Sequence, residues 1–157
     1  MVDQPQYLTP EGYKSLEKRL LHLTQVRRSE VAERLRLSLE EGGDLTENAE
    51  HEDAKNEQAF IEGEILRLEM ILNTAEVIES TGSNDEVVLG SRVTVVENGT
   101  KDKEVYHVVG SAEAKPSEGK ISIESPLGKA LIGAKVRDKV TVKAPDGEIV
   151  FSIKSIE

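Results

Sequence analysis

The chain has 157 residues, 37% of them hydrophobic and 32% charged, with 20 Lys+Arg against 30 Asp+Glu and no Cys or Trp. That length allows one ordinary domain or two small ones. Zero Cys excludes a disulfide scaffold, thiolate metal sites and a cysteine nucleophile, and a net charge of −10 opposes non-specific attraction to nucleic acid or anionic lipid.

Two Phe and three Tyr among many Leu, Glu, Lys and Arg point to long helices with aliphatic cores. No apolar run approaches the roughly 18 residues of a membrane-spanning helix. Residues 1–7 lack the basic and apolar regions of a signal peptide, so a cytoplasmic protein is expected. Residues 1–79 carry 9 basic and 18 acidic side chains, and residues 80–157 carry 11 and 12. The hydrophobic period changes at the same place, which predicts two structural units.

The first unit, residues 1–79, opens on Tyr7-Leu8-Thr9-Pro10-Glu11-Gly12. Thr9 reads as an N-cap, Pro10 suits the first helical position, and Glu11 faces the positive end of the helix dipole. Tyr13, Leu16, Leu20, Leu23, Val31, Leu35 and Leu39 form an apolar stripe that stops at Gly42-Gly43. A second helix carries Ala54, Gln58, Ile61, Ile65, Leu68, Leu72 and Ala75 in coiled-coil spacing, with Gln58 as its one polar position. Helices of about 30 residues would each be about 45 Å long. The short link between them demands an antiparallel return, so the spacing predicts a rod-like coiled-coil hairpin with its tip near residues 42–47.

Residues 80–86 read as a linker. Beyond them Arg92-Val-Thr-Val-Val96, Glu104-Val-Tyr-His-Val-Val109, Lys120-Ile-Ser-Ile123, Lys139-Val-Thr-Val142 and Ile149-Val-Phe-Ser-Ile153 read as strands. Asn98-Gly99 and Pro145-Asp146-Gly147 are turn signals, and Pro126 to Ile132 can form one short helix before Gly133. Residues 87–157 are therefore expected to form a small antiparallel sheet with one helix, which makes the chain α+β. Asn98-Gly99-Thr100 matches a glycosylation sequon, but in this setting reads as a turn.

Seven acids (Glu40, Glu41, Asp44, Glu47, Glu50, Glu52 and Asp53) crowd residues 40–56, where Lys55 is the one base. Gathering like charge at one end of a hairpin costs electrostatic energy, so stability alone does not explain it. Asp44 and Glu47 stand at i, i+3 on a helix start, where two carboxylates can converge on a Mg²⁺ completed by another molecule's oxygens. Asp44-Leu45-Thr46-Glu47 is equally a capping box, and spacing alone favours the cap. Glu50, Asp53 and Glu57 share a helix face that reads as solvated. His22, His51 and His107 are isolated and read as surface or satisfied histidines.

Gly43-Asp44-Leu45-Thr46-Glu47-Asn48-Ala49-Glu50 resembles the tip signature of the bacterial Gre transcript-cleavage factors. The opening at residues 7–12, the stretch from Ala54-Lys55 to Gly63, Ala75-Glu76-Val77-Ile78 and Ser125-Pro126-Leu127-Gly128-Lys129-Ala130-Leu131-Ile132-Gly133 resemble the same family in the same order. The resemblance implies a coiled coil followed by an FKBP-like α+β domain. It implies binding to bacterial RNA polymerase, with Ser125, Pro126, Leu127 and Gly128 docking at the rim of the secondary channel. Asp44 would help hold a weakly bound Mg²⁺ shared with the polymerase, and Glu47 would position or activate a water that cleaves the 3′ end of backtracked RNA. Asn48 and Lys55 would contact RNA or the active centre, and nascent RNA and DNA would be met only within the elongation complex. The chain would stimulate the polymerase's own cleavage rather than act as an enzyme.

The family usually has Arg shortly before the Gly-Asp, where this chain has Glu40 and Glu41, and Tyr-His where it has His51 and Glu52. A Gre-like paralogue that occupies the channel without inducing cleavage is therefore the alternative. A prolyl isomerase would want an aromatic-lined pocket, for which residues 80–157 offer Tyr106 and Phe151. A generic coiled-coil adaptor would have no need of the tip motif. A monomer is expected, since the hairpin satisfies its own seam.

Overall fold

The computed structural model describes residues 6–41, 49–79 and 84–157. Its contacts divide the chain into two compact units: Lys14–Thr74, and Met1–Tyr13 together with Ala75–Glu157. The sequence places the change of unit at 79/80. Strand β1 (Gln6–Leu8) accounts for the difference, because it pairs in parallel with β2 (Ala75–Val77). The start of the chain and the exit of the second long helix thereby join the C-terminal unit. Two three-residue strands this far apart in sequence leave no periodic signal.

Helix α1 (Pro10–His22), a π-helical turn (Leu23–Arg27) and α2 (Arg28–Glu41) follow one another directly, and α3 spans Ala49–Thr74. At 26 residues, α3 is about 39 Å long. Arg19 pairs with Glu64, Arg28 with Glu62 and Arg34 with Glu50, a descending order that makes the two helical arms antiparallel. Leu16, Leu23, Val31 and Ser38 are buried on the first arm, and Ala54, Ile61, Ile65 and Leu68 on α3.

The buried positions of the first arm are spaced seven, eight and seven residues apart. The eight-residue step spans the π turn, whose wider winding absorbs one extra residue and keeps the stripe facing α3. Two details differ from the periodic reading. Leu39 is 50% exposed and Ser38, at 4%, takes its place in the seam. On α3, Gln58 faces solvent and Glu57 turns inward instead, toward Arg27 and Arg34.

In the C-terminal unit, β3 (Arg92–Glu97), β4 (Lys103–Val109), β5 (Lys120–Ser122), β6 (Lys139–Ala144) and β7 (Gly147–Ile156) form a sheet in the order β5-β4-β3-β7-β6. The expected strands are present, but the sheet is mixed: β4 and β5 run parallel, joined by two short 3-10 turns. Alternation puts Val93, Val95, Val108, Ile121, Val140, Val142, Phe151 and Ile153 into one core, against Leu131 of helix α4 (Pro126–Leu131). Tyr106 and Phe151 meet edge to face at 6.5 Å, so these two rings pack on each other. Gly99 and Gly147 take positive φ at the two expected turns. Glu86, the last residue of the sequence-read linker, bridges to Lys135. Among the described residues, no helix is long and apolar enough to cross a membrane.

Candidate functional site

Asp44, Glu47 and Asn48 lie outside the described residues, in the connection between α2 and α3. What the structure describes is the pair of helix ends that carry them. Arg34 reaches from α2 to Glu50 (2.5 Å) and to Glu57, and Arg27 joins Glu57 and Glu30. The Arg34 guanidinium holds the Glu50 carboxyl below the usual carboxylate range, mainly through their hydrogen bond. Both carboxylates thus pair with arginines of the first arm: Glu50 stays on a solvated face, and Glu57 alone is partly buried. Ser38 and His51 approach at 3.3 Å (Oγ to Nδ1), a polar contact across the seam near the same end. His51, isolated in the sequence, finds its partner here.

Not every charge near this end is neutralised locally. Glu52, Asp53 and Lys55 are exposed and form no ion pair among the described residues. Lys55 is accordingly a cation presented beside an acidic connection. Glu40 pairs with Arg36 at 2.5 Å along α2, and Arg36 also holds Glu33 at 2.6 Å. Sequence inspection missed the arginines. Their i, i+7 spacing at Arg27 and Arg34 is a usable signal, because it repeats on the face that meets α3.

The second candidate region is the start of α4. Ser125 is its N-cap: its Oγ accepts from the Gly128 N–H at 3.0 Å and donates to the Ser122 carbonyl at 2.6 Å. Pro126 occupies the first turn, where no N–H is needed, and is exposed. Leu127 packs partly on the core and Gly128 is buried. A Cβ at Gly128 would overlap the Ser122 carbonyl oxygen, so this glycine is required by close backbone approach. Of the four docking candidates, Pro126 is the one that is exposed; Ser125 and Leu127 are partly buried. A cavity of about 580 Å³ opens nearby, lined by Tyr7, Ile78, Val87, Ile123, Lys129 and Ile132.

Residues 6–77 match the family described as "Transcription elongation factor, N-terminal", and residues 82–157 match "Transcription elongation factor, GreA/GreB, C-term". The chain belongs to the GreA/GreB family of transcription elongation factors. A "Transcription elongation factor GreA" from Roseiflexus sp. (strain RS-1) is 49% identical, covering 100% of both chains. Another from Bacillus subtilis (strain 168) is 47% identical over 95% of this chain and 94% of its own. Among solved structures, GreA factor homolog 1 of Thermus thermophilus is 33% identical, covers 98% of this chain and 99% of its own, and has a TM-score of 0.45. The match to the GreA/GreB family spans both units, so the acidic connection and the α4 start are parts of one elongation factor.

Proposed function

We propose that this elongation factor binds bacterial RNA polymerase through its secondary channel and stimulates cleavage of the 3′ end of backtracked RNA, so that arrested complexes resume. The observation that supports this best is positional. Asp44 and Glu47 belong to the connection at one end of an antiparallel helical pair whose second arm is about 39 Å long. Such a pair can deliver a carboxylate to a site deep inside a partner, and a chain of net charge −10 needs that partner to meet RNA at all.

Two carboxylates are hard oxygen donors, a set that suits Mg²⁺ with its remaining ligands supplied by water and the polymerase. Asp44 and Glu47 would hold this ion, which when bound supplies Lewis-acid activation of water and phosphodiester. Glu47 orients the attacking water, and Asn48 and Lys55 contact the RNA or the active centre. Ser125, Pro126, Leu127 and Gly128 form the docking turn, with Pro126 as its exposed apolar contact. The chain works as a monomer in the cytoplasm and lends its acids to the polymerase's own hydrolytic activity.

A second reading has a specific observation in its favour. Glu40 stands where the family usually has Arg and is engaged by Arg36, which makes the end of α2 less basic than a typical member's. In that reading the chain occupies the channel without inducing cleavage. Transcript cleavage in a stalled, backtracked elongation complex with Mg²⁺ separates the two. Wild type cleaves, while Asp44→Asn and Glu47→Gln bind the polymerase but lose cleavage by on the order of 100-fold or more, the scale of removing one electrostatic or metal-orienting group. Binding without cleavage by all three proteins overturns the proposal and leaves Asp44 and Glu47 as a helix cap.

A further inference from the structure

We propose that Arg92, His107 and Lys120 form an oxyanion-binding cleft that takes the phosphate groups of a small ligand of the pyrophosphate class. The three residues come from adjacent strands and stand in one row. Arg92 of β3 is the direct partner of His107 of β4, and His107 is the direct partner of Lys120 of β5. Their neighbours Val93, Val108 and Ile121 point into the core, so the row lies on the opposite face. Arg92 and Lys120 thus flank His107 on one face, two permanent cations either side of an imidazole, and an oxyanion set over the ring would be met from both sides.

The row lines a cleft of about 380 Å³, closed on its other side by Thr9, Pro10 and Glu11. That volume sits at the low end of the range for small-molecule sites, about 300–1,000 Å³. The cations are available. Arg92 makes no ion pair among the described residues, and Lys120 has only a 3.6 Å approach to Glu118, whose nearer partner is Lys115 at 2.6 Å. His107 is half-buried, hydrogen-bonded to the backbone of Gly90, and held below its ordinary pKa first by burial and then by Arg92. Arg92 from β3, Lys120 from β5 and Glu113 from the 3-10 turn act on His107, and Glu11 from α1 lines the same cleft.

The helix start does not itself supply the donors. Thr9 N and Oγ1 are already taken by Glu113, at 2.8 and 2.5 Å, and the Gly12 N–H by Thr9 Oγ1. Recognition falls to Arg92 and Lys120 as charged donors, with the His107 ring between them becoming more readily protonated when the anion is bound. A small anion is favoured over a nucleic-acid strand on two grounds. Strand binding needs a long cationic groove that tracks the backbone, and a long polyanion feels the net charge of −10, whereas a small one feels the local field.

The test is calorimetric titration of the full chain with inorganic pyrophosphate at low ionic strength and neutral pH, alongside the His107 imidazole signals by NMR. The expected result is saturable 1:1 binding that raises the His107 pKa and weakens with salt. Arg92→Gln and Lys120→Gln each reduce affinity about tenfold, as for loss of one charge-assisted hydrogen bond, and Arg92→Lys restores part of it. ATP in a parallel titration binds through the same residues, which would show that a nucleoside is tolerated. A short RNA competes poorly. Lys120→Gln, at a partly exposed position, carries the test if Arg92→Gln does not fold. No saturable binding, binding unmoved by either substitution, or an RNA that binds the cleft more tightly than pyrophosphate overturns the proposal.

Discussion

Glu113 shows how a single side chain can serve as a remote helix cap. Its carboxylate accepts from the Thr9 N–H and from Thr9 Oγ1, while Thr9 Oγ1 accepts from the Gly12 N–H. In a capping box this role falls to the residue three positions into the helix. Here that position is Gly12, and a Cβ there would collide with Glu113. Glu113→Ala strips a buried N–H of its partner and should cost about 1–3 kcal/mol, read as a lower urea midpoint. His107 supplies a pH dependence. Its folded pKa lies below the ordinary 6.5, chiefly through burial, so the unfolded chain binds this proton more readily. The stabilisation is therefore full above pH 6.5 and is lost as pH falls through the lower, folded value. His107→Gln should flatten the stability profile just below pH 6.5, while leaving the loss at lower pH that comes from Glu50, Glu64 and Glu118, whose carboxyls are held down by Arg34, Arg67 and Lys115.

At the scale of elements, the helical pair is held by a narrow aliphatic seam with ion pairs along its flanks. The flanking pairs are mostly half-exposed, and solvent screening leaves such pairs little net weight. The seam carries the stability: Leu68 is fully buried, and Leu68→Ala should cost about 2–5 kcal/mol in denaturant unfolding. The π turn gives a sharper test. Deleting Gln25 removes the extra residue and leaves the seam spaced seven, seven and seven, so the pair should keep its helical circular dichroism and cooperative melting. Deleting Ala32, outside the turn, rotates Ser38 and everything beyond it by about 100° and should abolish that cooperativity.

Charge organises the whole molecule. The acids concentrate on the first 79 residues, while the C-terminal sheet carries the row of Arg92, His107 and Lys120. Each long helical arm finds its apolar partner within the same chain, and the acidic end of the pair repels a second copy. Sedimentation equilibrium should therefore return a mass near 17.3 kDa, and a mass near twice that value would contradict the monomer.

Much of this was legible in the sequence, for a local reason. The 3.6-residue and two-residue periods, the Thr9 cap, the Ser125-Pro126 helix start and the Gly99 and Gly147 turns all depend on neighbours a few residues away. The acids of the connection were equally plain, as composition, although Asp44 and Glu47 themselves lie outside the described residues. What only the tertiary structure decided are the choices between near-equivalent residues and the meetings of distant ones. Glu57 turns inward rather than Gln58 because Arg27 and Arg34 arrive opposite it. Gln6–Leu8 joins the C-terminal unit because Ala75–Val77 offers it a strand edge. Arg92 and His107 meet through a hairpin whose turn the sequence signals, but Lys120 joins their row only through the parallel pairing of β4 with β5, which no tight turn specifies.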